Sequence, residues 1–378
     1  MNKKTVNILG IRGVPAAHGG FETFAAQLAP YLRDKGWAVN VYCQIEPDSD
    51  GALADDFEDD WNGICRIHFG SKATSSKGTV VFDWRCVRDA MRRPGVNLVL
   101  GYNTAIFSLL LRASGKRVVM NMDGVEWKRA KWSLPVKSWF YLNEFVGSHV
   151  ANVPVADHPE IAQHLRRHGC YRAEVIPYGA ERVDAAEPDA ITAMGLTPGG
   201  YLVSIARIEP ENSILEIVSA FSRQKRGLKL VVLGNFKADN AYHQAVQAAA
   251  SADVMFPGAI YEKETVAALR FHALAYMHGH QVGGTNPSLV EALAAQNAVI
   301  AHDNRFNRWV AGEGQFYFSD EDQLAGIVER LDRGELDIVS SKARAAERHA
   351  AQFTLDDIHG QYEAVLNRMV RQAGPVSA

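Results

Sequence analysis

Short apolar runs that do not alternate with polar residues recur between helix-length segments, and this rhythm constrains the fold more than any other feature of the chain. TVNILGI (5–11), AVNVYC (38–43), VNLVLG (96–101), RVVMNMD (117–123) and AEVIPYG (173–179) occur in the first half; YLVSIAR (201–207), LKLVVLG (228–234), VMFPGAI (254–260) and NAVIAHD (297–303) follow in the second. A strand that is apolar on both faces must be covered on both faces, which a parallel sheet flanked by helices achieves. At 378 residues the chain exceeds what one core organises, so two α/β domains are predicted. The stretch 182–200, rich in Pro, Ala, Asp and Gly, reads as a hinge between a first domain over 1–181 and a second over 201–354. Ile358, Tyr362, Val365, Leu366 and Met369 fall at helical spacing and predict a closing helix within 355–378, with no packing partner evident.

Composition narrows the function classes. A hydrophobic fraction of 47%, 22% charged residues and a net charge of −3 are globular and give no global attraction for nucleic acid. Cys43, Cys65, Cys86 and Cys170 lack any C-x-x-C spacing, which fits reduced thiols in the cytoplasm better than disulfides or zinc. The first apolar run is broken by Arg12, so it reads as a strand rather than a secretory signal. No segment approaches the ~20 apolar residues that span a bilayer. Any membrane contact is therefore expected to be peripheral, at the inner face of the cell membrane. The acidic run 46–60 reads as a solvated loop, with Asp48-Ser49-Asp50 as an alternative metal-diphosphate contact.

Three stretches carry chemistry. GIRGVPAAHGGFE (10–22) joins the first strand to the first helix, where backbone amides and the helix dipole meet an anion. It lacks G-x-G-x-x-G, so Gly19 and Gly20 suit a looser phosphate or sugar contact, or simply a tight turn. In HGHQVGGTNPSLVEAL (278–293), Asn286 reads as an N-cap and Pro287 as the first helical residue. Gly283 and Gly284 allow close approach to the backbone, and Thr285, Asn286 and Ser288 surround the positive helix end, which fits a diphosphate. Glu291, about one turn in, is placed to accept hydrogen bonds from a sugar diol, or is a surface carboxylate favoured by the dipole. His278 and His280, with His272 upstream, form no convincing zinc set and read as loop histidines near a phosphate. Arg207 follows the first strand of the second domain and points to the crevice where open α/β sheets bind ligands, or is a plain surface arginine.

Taken together, these stretches resemble the glycosyltransferases of family 4, retaining nucleotide-sugar enzymes with the GT-B fold: two Rossmann-like, doubly wound domains facing each other across a cleft. The resemblance covers nearly the whole chain and rests on the GG loop, VIPYGAE (175–181), ARIEPEN (206–212) and GGTNPSLVEAL. GIRGVPAAHGGFETF with NMDGVEWKRAKW (121–132) is similar to a bacterial subgroup that includes rhamnosyltransferases of cell-surface polysaccharide assembly. It implies that Gly19 and Gly20 adjoin the donor phosphate or acceptor, that Arg207 contacts the diphosphate and that Glu291 holds the ribose. With them, Asn212, His278, His280, Gly284, Thr285, Asn286 and Ser288 form the expected donor site. Arg12, His18, Glu126 and Trp127 form the expected acceptor site. Three positions depart from the family pattern: Gly283 stands for a sugar-binding glutamate, Asn212 for a lysine, and Asp123 for a histidine at the acceptor crevice.

The resemblance implies front-side displacement, in which the leaving diphosphate accepts the proton of the incoming hydroxyl. Arg207 and the amides at 285–288 would stabilise that diphosphate, Asp123 would orient the acceptor or sugar, and neither metal nor cofactor is expected. The expected reaction moves a hexose or deoxyhexose, rhamnose favoured, from a UDP or dTDP sugar to a lipid-linked or oligosaccharide acceptor. A nucleotide-sugar epimerase on the same fold and a catalytically silent nucleotide-sugar binder are the alternatives. Segment 126–141 mixes Lys128, Arg129, Lys131 and Lys137 with Trp127, Trp132, Trp139 and Phe140, which suits an anionic membrane interface or ordinary helix packing.

Overall fold

The computed structural model describes residues 3–15, 19–46, 53–71, 75–129 and 132–372. The chain divides into two units, one of residues 1–177 with 358–378, the other of residues 178–357.

The first unit runs β1 (Thr5–Leu9), α1 (Gly20–Asp34), β2 (Ala38–Ile45), β3 (Phe57–Trp61), β4 (Ile64–Gly70), α2 (Ser75–Ala90), β5 (Val96–Leu100), α3 (Ser108–Ala113), β6 (Arg117–Asn121), α4 (Leu134–Val150), β7 (Val153–Ala156), α5 (Pro159–Arg167) and β8 (Glu174–Val175). Among the described residues its eight strands lie in the order β3-β4-β2-β1-β5-β6-β7-β8, parallel except for the β3–β4 hairpin. Buried Asn7 and Asn97 are accommodated by a ladder across the sheet. Asn40 donates to Asn7 at 2.8 Å and Asn7 to Asn97 at 3.2 Å, so these amides do not sit unpaired in the core. Four of the residues expected in a solvated acidic loop instead begin edge strand β3, Phe57–Asp60. Asp59 is held by Arg66 at 2.5 Å, Glu58 pairs with Arg93, and Asp56 just before the strand pairs with Arg85. Asp48-Ser49-Asp50 lies outside the described residues.

The second unit runs α6 (Asp189–Ala193), β9 (Tyr201–Ile205), α7 (Ile214–Ser222), β10 (Lys229–Leu233), α8 (Ala241–Ala248), β11 (Val254–Gly258), α9 (Lys263–Phe271), β12 (Ala275–His278), α10 (Pro287–Ala294), β13 (Ala298–His302), α11 (Arg305–Ala311), β14 (Phe316–Phe318), α12 (Glu321–Asp332) and α13 (Ile338–Gln352). Its six strands are all parallel, ordered β11-β10-β9-β12-β13-β14. Leu202, Leu230, Val232, Met277 and Ile300 fill a core on one face, while Tyr201, Val203, Val231, Leu233 and Tyr276 fill one on the other. Both faces are thus apolar, which is why the strand sequences do not alternate. Within the stretch predicted as a hinge, Ile191 of α6 and Leu196 are buried in this second core. The closing helix is α14 (Leu355–Gln372), and from Ile358 onward it belongs to the first unit. Tyr362 packs on Phe24 at 4.8 Å and accepts a 2.9 Å bond from Asn121 of β6.

Candidate active site

In the second sheet the strand order reverses between β9 and β12, and the loops leaving these strands carry the predicted donor residues. Asn286 caps α10, its side chain accepting from the Ser288 amide at 3.0 Å, with Pro287 as the first helical residue. That cap corrects one expectation. The Ser288 amide is engaged by its own chain, and the Ser288 hydroxyl donates to the Ile205 carbonyl at 3.0 Å and lies 2.6 Å from the Tyr276 hydroxyl. Ser288 therefore ties α10 to the sheet, and Thr285 is buried beside it. Gly284 has φ +108°, a conformation that side-chain-bearing residues rarely adopt.

Glu291 is paired at 2.5 Å with Arg270, a guanidinium buried at the end of α9 that also donates to Ser288 at 3.1 Å. The carboxylate keeps 41% of its side-chain surface exposed, so it is oriented without being covered. Nothing around Arg270 in the sequence marks this role, because the contact is made only when α9 packs beside α10.

The histidine loop is largely internal. His278 ends β12 fully buried, its Nε2 without a hydrogen-bond partner among the described residues, and burial, with His280 and His302 nearby, holds its pKa well below the ordinary value. It remains neutral at physiological pH and brings no charge to an anion. His280 Nδ1 donates to Asn212 Oδ1 at 2.6 Å, and Asn212 Nδ2 donates to the Arg207 carbonyl at 2.8 Å. Asn212 is thus a buried brace between two loops rather than a charge clamp. His272 meets the Ala186 carbonyl at 2.8 Å, so the three histidines do not converge. The absence of a side chain at Gly283 has a local reason: a Cβ there would lie 2.6 Å from the Phe306 ring.

Arg207 stands at a cavity of about 500 Å³ at the carboxyl ends of β9, β10 and β11. Its side chain is 61% exposed and lies 3.6 Å from Glu209 and 3.9 Å from Glu211, loose contacts that leave it room to turn. Lys237 lines the same cavity and adds a cation that the sequence reading missed. Tyr261, 78% exposed, shares the wall and accepts a 3.2 Å bond from Asn235.

In the first unit, Gly19 is the N-cap of α1, and a Cβ on it would come within 2.9 Å of Glu22, whose carboxylate accepts from the Arg12 amide at 3.1 Å. Gly20 opens the helix, the Arg12 residue is exposed, and His18 lies outside the described residues. Asp123 follows β6 with φ +46°, its amide donating to Asn121 Oδ1 at 2.8 Å. Burial, with the Glu126 charge adding, pushes its carboxyl up to about 6. The predicted acceptor residues beside it are engaged in building the turn. Glu126 pairs with Arg129 at 2.7 Å and accepts from the Trp132 indole at 3.1 Å, while the Trp127 indole donates to buried Glu144 at 3.0 Å.

Two α/β units built on parallel sheets, with the predicted donor loops at the second unit's switch point, give the chain the GT-B fold, and a glycosyltransferase domain match over its second half marks it as a glycosyltransferase. Residues 197–350 match the family described as glycosyl transferases group 1, and residues 3–181 match a domain of unknown function, DUF1972. Among solved structures the chain is similar to a sucrose-phosphate synthase from Thermosynechococcus elongatus, with TM-score 0.82, 16% identity, and 98% of this chain and 100% of that one covered. It is also similar to an α,α-trehalose-phosphate synthase (UDP-forming) from Burkholderia vietnamiensis, with TM-score 0.69, 14% identity, and 97% and 100% covered. A third is described as trehalose-6-phosphate from E. coli bound with UDP-2-fluoro glucose, with TM-score 0.71, 10% identity, and 96% and 98% covered. At these identities the likeness is one of fold. No curated protein matches the chain.

Proposed function

We propose that this glycosyltransferase is a retaining enzyme that moves a hexose or deoxyhexose, rhamnose favoured, from a UDP or dTDP sugar to a lipid-linked or oligosaccharide acceptor in cell-surface polysaccharide assembly. The observation that carries the reading is Arg207, exposed at the cavity beside the switch point, with Lys237 in the same wall. Two cations over a concave surface suit a nucleoside diphosphate, and an arginine free to turn is suited to the charge that grows on the leaving group. Glu291, oriented by Arg270, is the ribose contact. The uridine-sugar ligand of the E. coli structure supports the donor class. Asp123 orients the acceptor hydroxyl, and the chemistry proceeds without a metal at the diphosphate.

A lipid-linked acceptor is supported by the outer face of α4, where Leu134, Trp139, Tyr141, Leu142 and Phe145 are exposed and Lys137 is the sole basic residue before His149. No helix among the described residues is long and apolar enough to cross a membrane. Peripheral contact with a membrane interface, through these apolar and aromatic side chains, is the corresponding arrangement.

The test measures nucleoside diphosphate released from UDP- and dTDP-sugars, with and without a lipid-linked acceptor extract. Acceptor-dependent release together with a glycosylated product is expected; release without product would overturn transfer in favour of hydrolysis or epimerase-type chemistry. Arg207→Ala is expected to lower kcat at least tenfold while changing donor Kd less. A loss confined to donor binding would reduce Arg207 to docking.

A further inference from the structure

Away from the donor loops, three metal-ligating side chains converge in the first unit. His164 lies on α5 and His168 is the residue that ends it, so the pair is spaced i, i+4 and projects from one helical face. Glu144 projects from α4 toward them. Its Oε1 is 2.8 Å from His164 Nε2 and 3.3 Å from His168 Nδ1, and the three ligand atoms all lie within 4.8 Å of one another. Among the described residues this is the cluster placed to hold an ion.

We propose that Glu144, His164 and His168 form a binding site for a zinc-class divalent cation. Two imidazoles and one carboxylate are a donor set that zinc takes, with a fourth position left to water. Tetrahedral bonds of about 2.1 Å set ligand atoms about 3.4 Å apart, a spacing that the 3.3 Å Glu144–His168 pair meets and the 2.8 Å Glu144–His164 pair reaches by opening slightly. Imidazole nitrogens select Zn²⁺, Co²⁺ or Ni²⁺ over Mg²⁺ and Ca²⁺, which require oxygen. The second carboxylate oxygen of Glu144 accepts from the Trp127 indole at 3.0 Å, the kind of outer bond that fixes a metal ligand's orientation. The Trp127 and Tyr141 rings, 5.4 Å apart and nearly perpendicular, wall the cluster, and Tyr141 also packs edge-on against His168. A bound cation would therefore tie α4, α5 and the turn at residues 126–128 into one rigid piece. Its role is positional, and its binding does not depend on the transfer reaction proposed above.

The experiment strips the tag-free protein with a chelator and titrates Co²⁺ while reading visible d–d absorption and Trp127 emission, the latter by difference from Trp127→Phe. A single equivalent with tetrahedral bands and quenched Trp127 emission is expected, displaced by Zn²⁺ and not by Mg²⁺. His168→Ala, at a partly exposed position, should lose the bands with its circular dichroism unchanged, and Glu144→Gln should weaken Co²⁺ about tenfold or more. Bands that persist in His168→Ala, or wild-type protein that takes up no Co²⁺, would overturn the site and leave a hydrogen-bonded His–Glu network. Because the readout is metal uptake, it separates cleanly from a failure of glycosyl transfer.

Discussion

Asp123 combines a left-handed backbone, a raised carboxyl pKa and a place directly after β6. Its folded-state value of about 6 exceeds the ordinary 3.8, so between those values the folded protein holds the proton more tightly than the unfolded chain does. The favourable contribution is present at low pH and is lost as pH rises through that window, leaving a penalty at neutral pH. Asn tolerates the same positive φ. Asp123→Asn is therefore expected to raise stability at neutral pH by about 1–3 kcal/mol, with no gain below about pH 4, as read by urea melts at both. The same variant should lose most of its transfer rate if the carboxylate orients a substrate. Glu291 offers a second residue-level test. Glu291→Ala should weaken UDP or dTDP binding by about 1–3 kcal/mol in calorimetry and also destabilise the fold by stranding Arg270, whereas Glu291→Gln should retain most of the stability. Unchanged affinity in both would mean the ribose lies elsewhere. The Asn286 cap and the Pro287 start of α10 were legible because capping chemistry is written in adjacent residues. Arg270 and Lys237 were not, since each reaches its place only through packing between elements distant in sequence.

Among elements, the loop from β12 to α10 and the helix α11 are coupled through one steric contact. With the Phe306 ring 2.6 Å from where a Gly283 Cβ would be, Gly283→Glu is expected to cost about 1–3 kcal/mol. Phe306→Ala should recover part of that loss, so the double-mutant cycle in chemical denaturation should be strongly non-additive. Additive costs would show that the ring does not set the residue at 283. The same scale explains which strands the sequence reading found. The nine apolar runs it identified all appear as strands, because strands buried on both faces need residues of that type. Strand β3 was hidden, since Phe57-Glu-Asp-Asp-Trp61 has poor strand propensity and is held by charges from Arg66 and Arg93. Strand β7 was hidden by Pro154, which ordinarily argues against a strand flanked on both sides, as β7 is by β6 and β8. Strands β12 and β14, of four and three residues, are too short to give a periodic signal.

For the molecule as a whole, the decisive feature is that α14 completes the first unit although it follows the second in sequence. Its apolar stripe was readable, but its partner was not, because helical periodicity reveals a buried face and not what buries it. Ile358, Tyr362, Leu366 and Met369 are all buried. Tyr362→Ala should cost about 3–5 kcal/mol. Amide hydrogen exchange is expected to localise that loss to residues 3–177, with protection in 178–357 retained; equal loss in both would show that the two units unfold as one. The order of synthesis gives this arrangement a further meaning. A ribosome finishes the eight strands of the first sheet, and then the whole second unit, before it releases the helix that seals that sheet. The nascent protein therefore carries an open apolar seam through about half of its translation, and a chain cut short near its end would forfeit the integrity of its beginning.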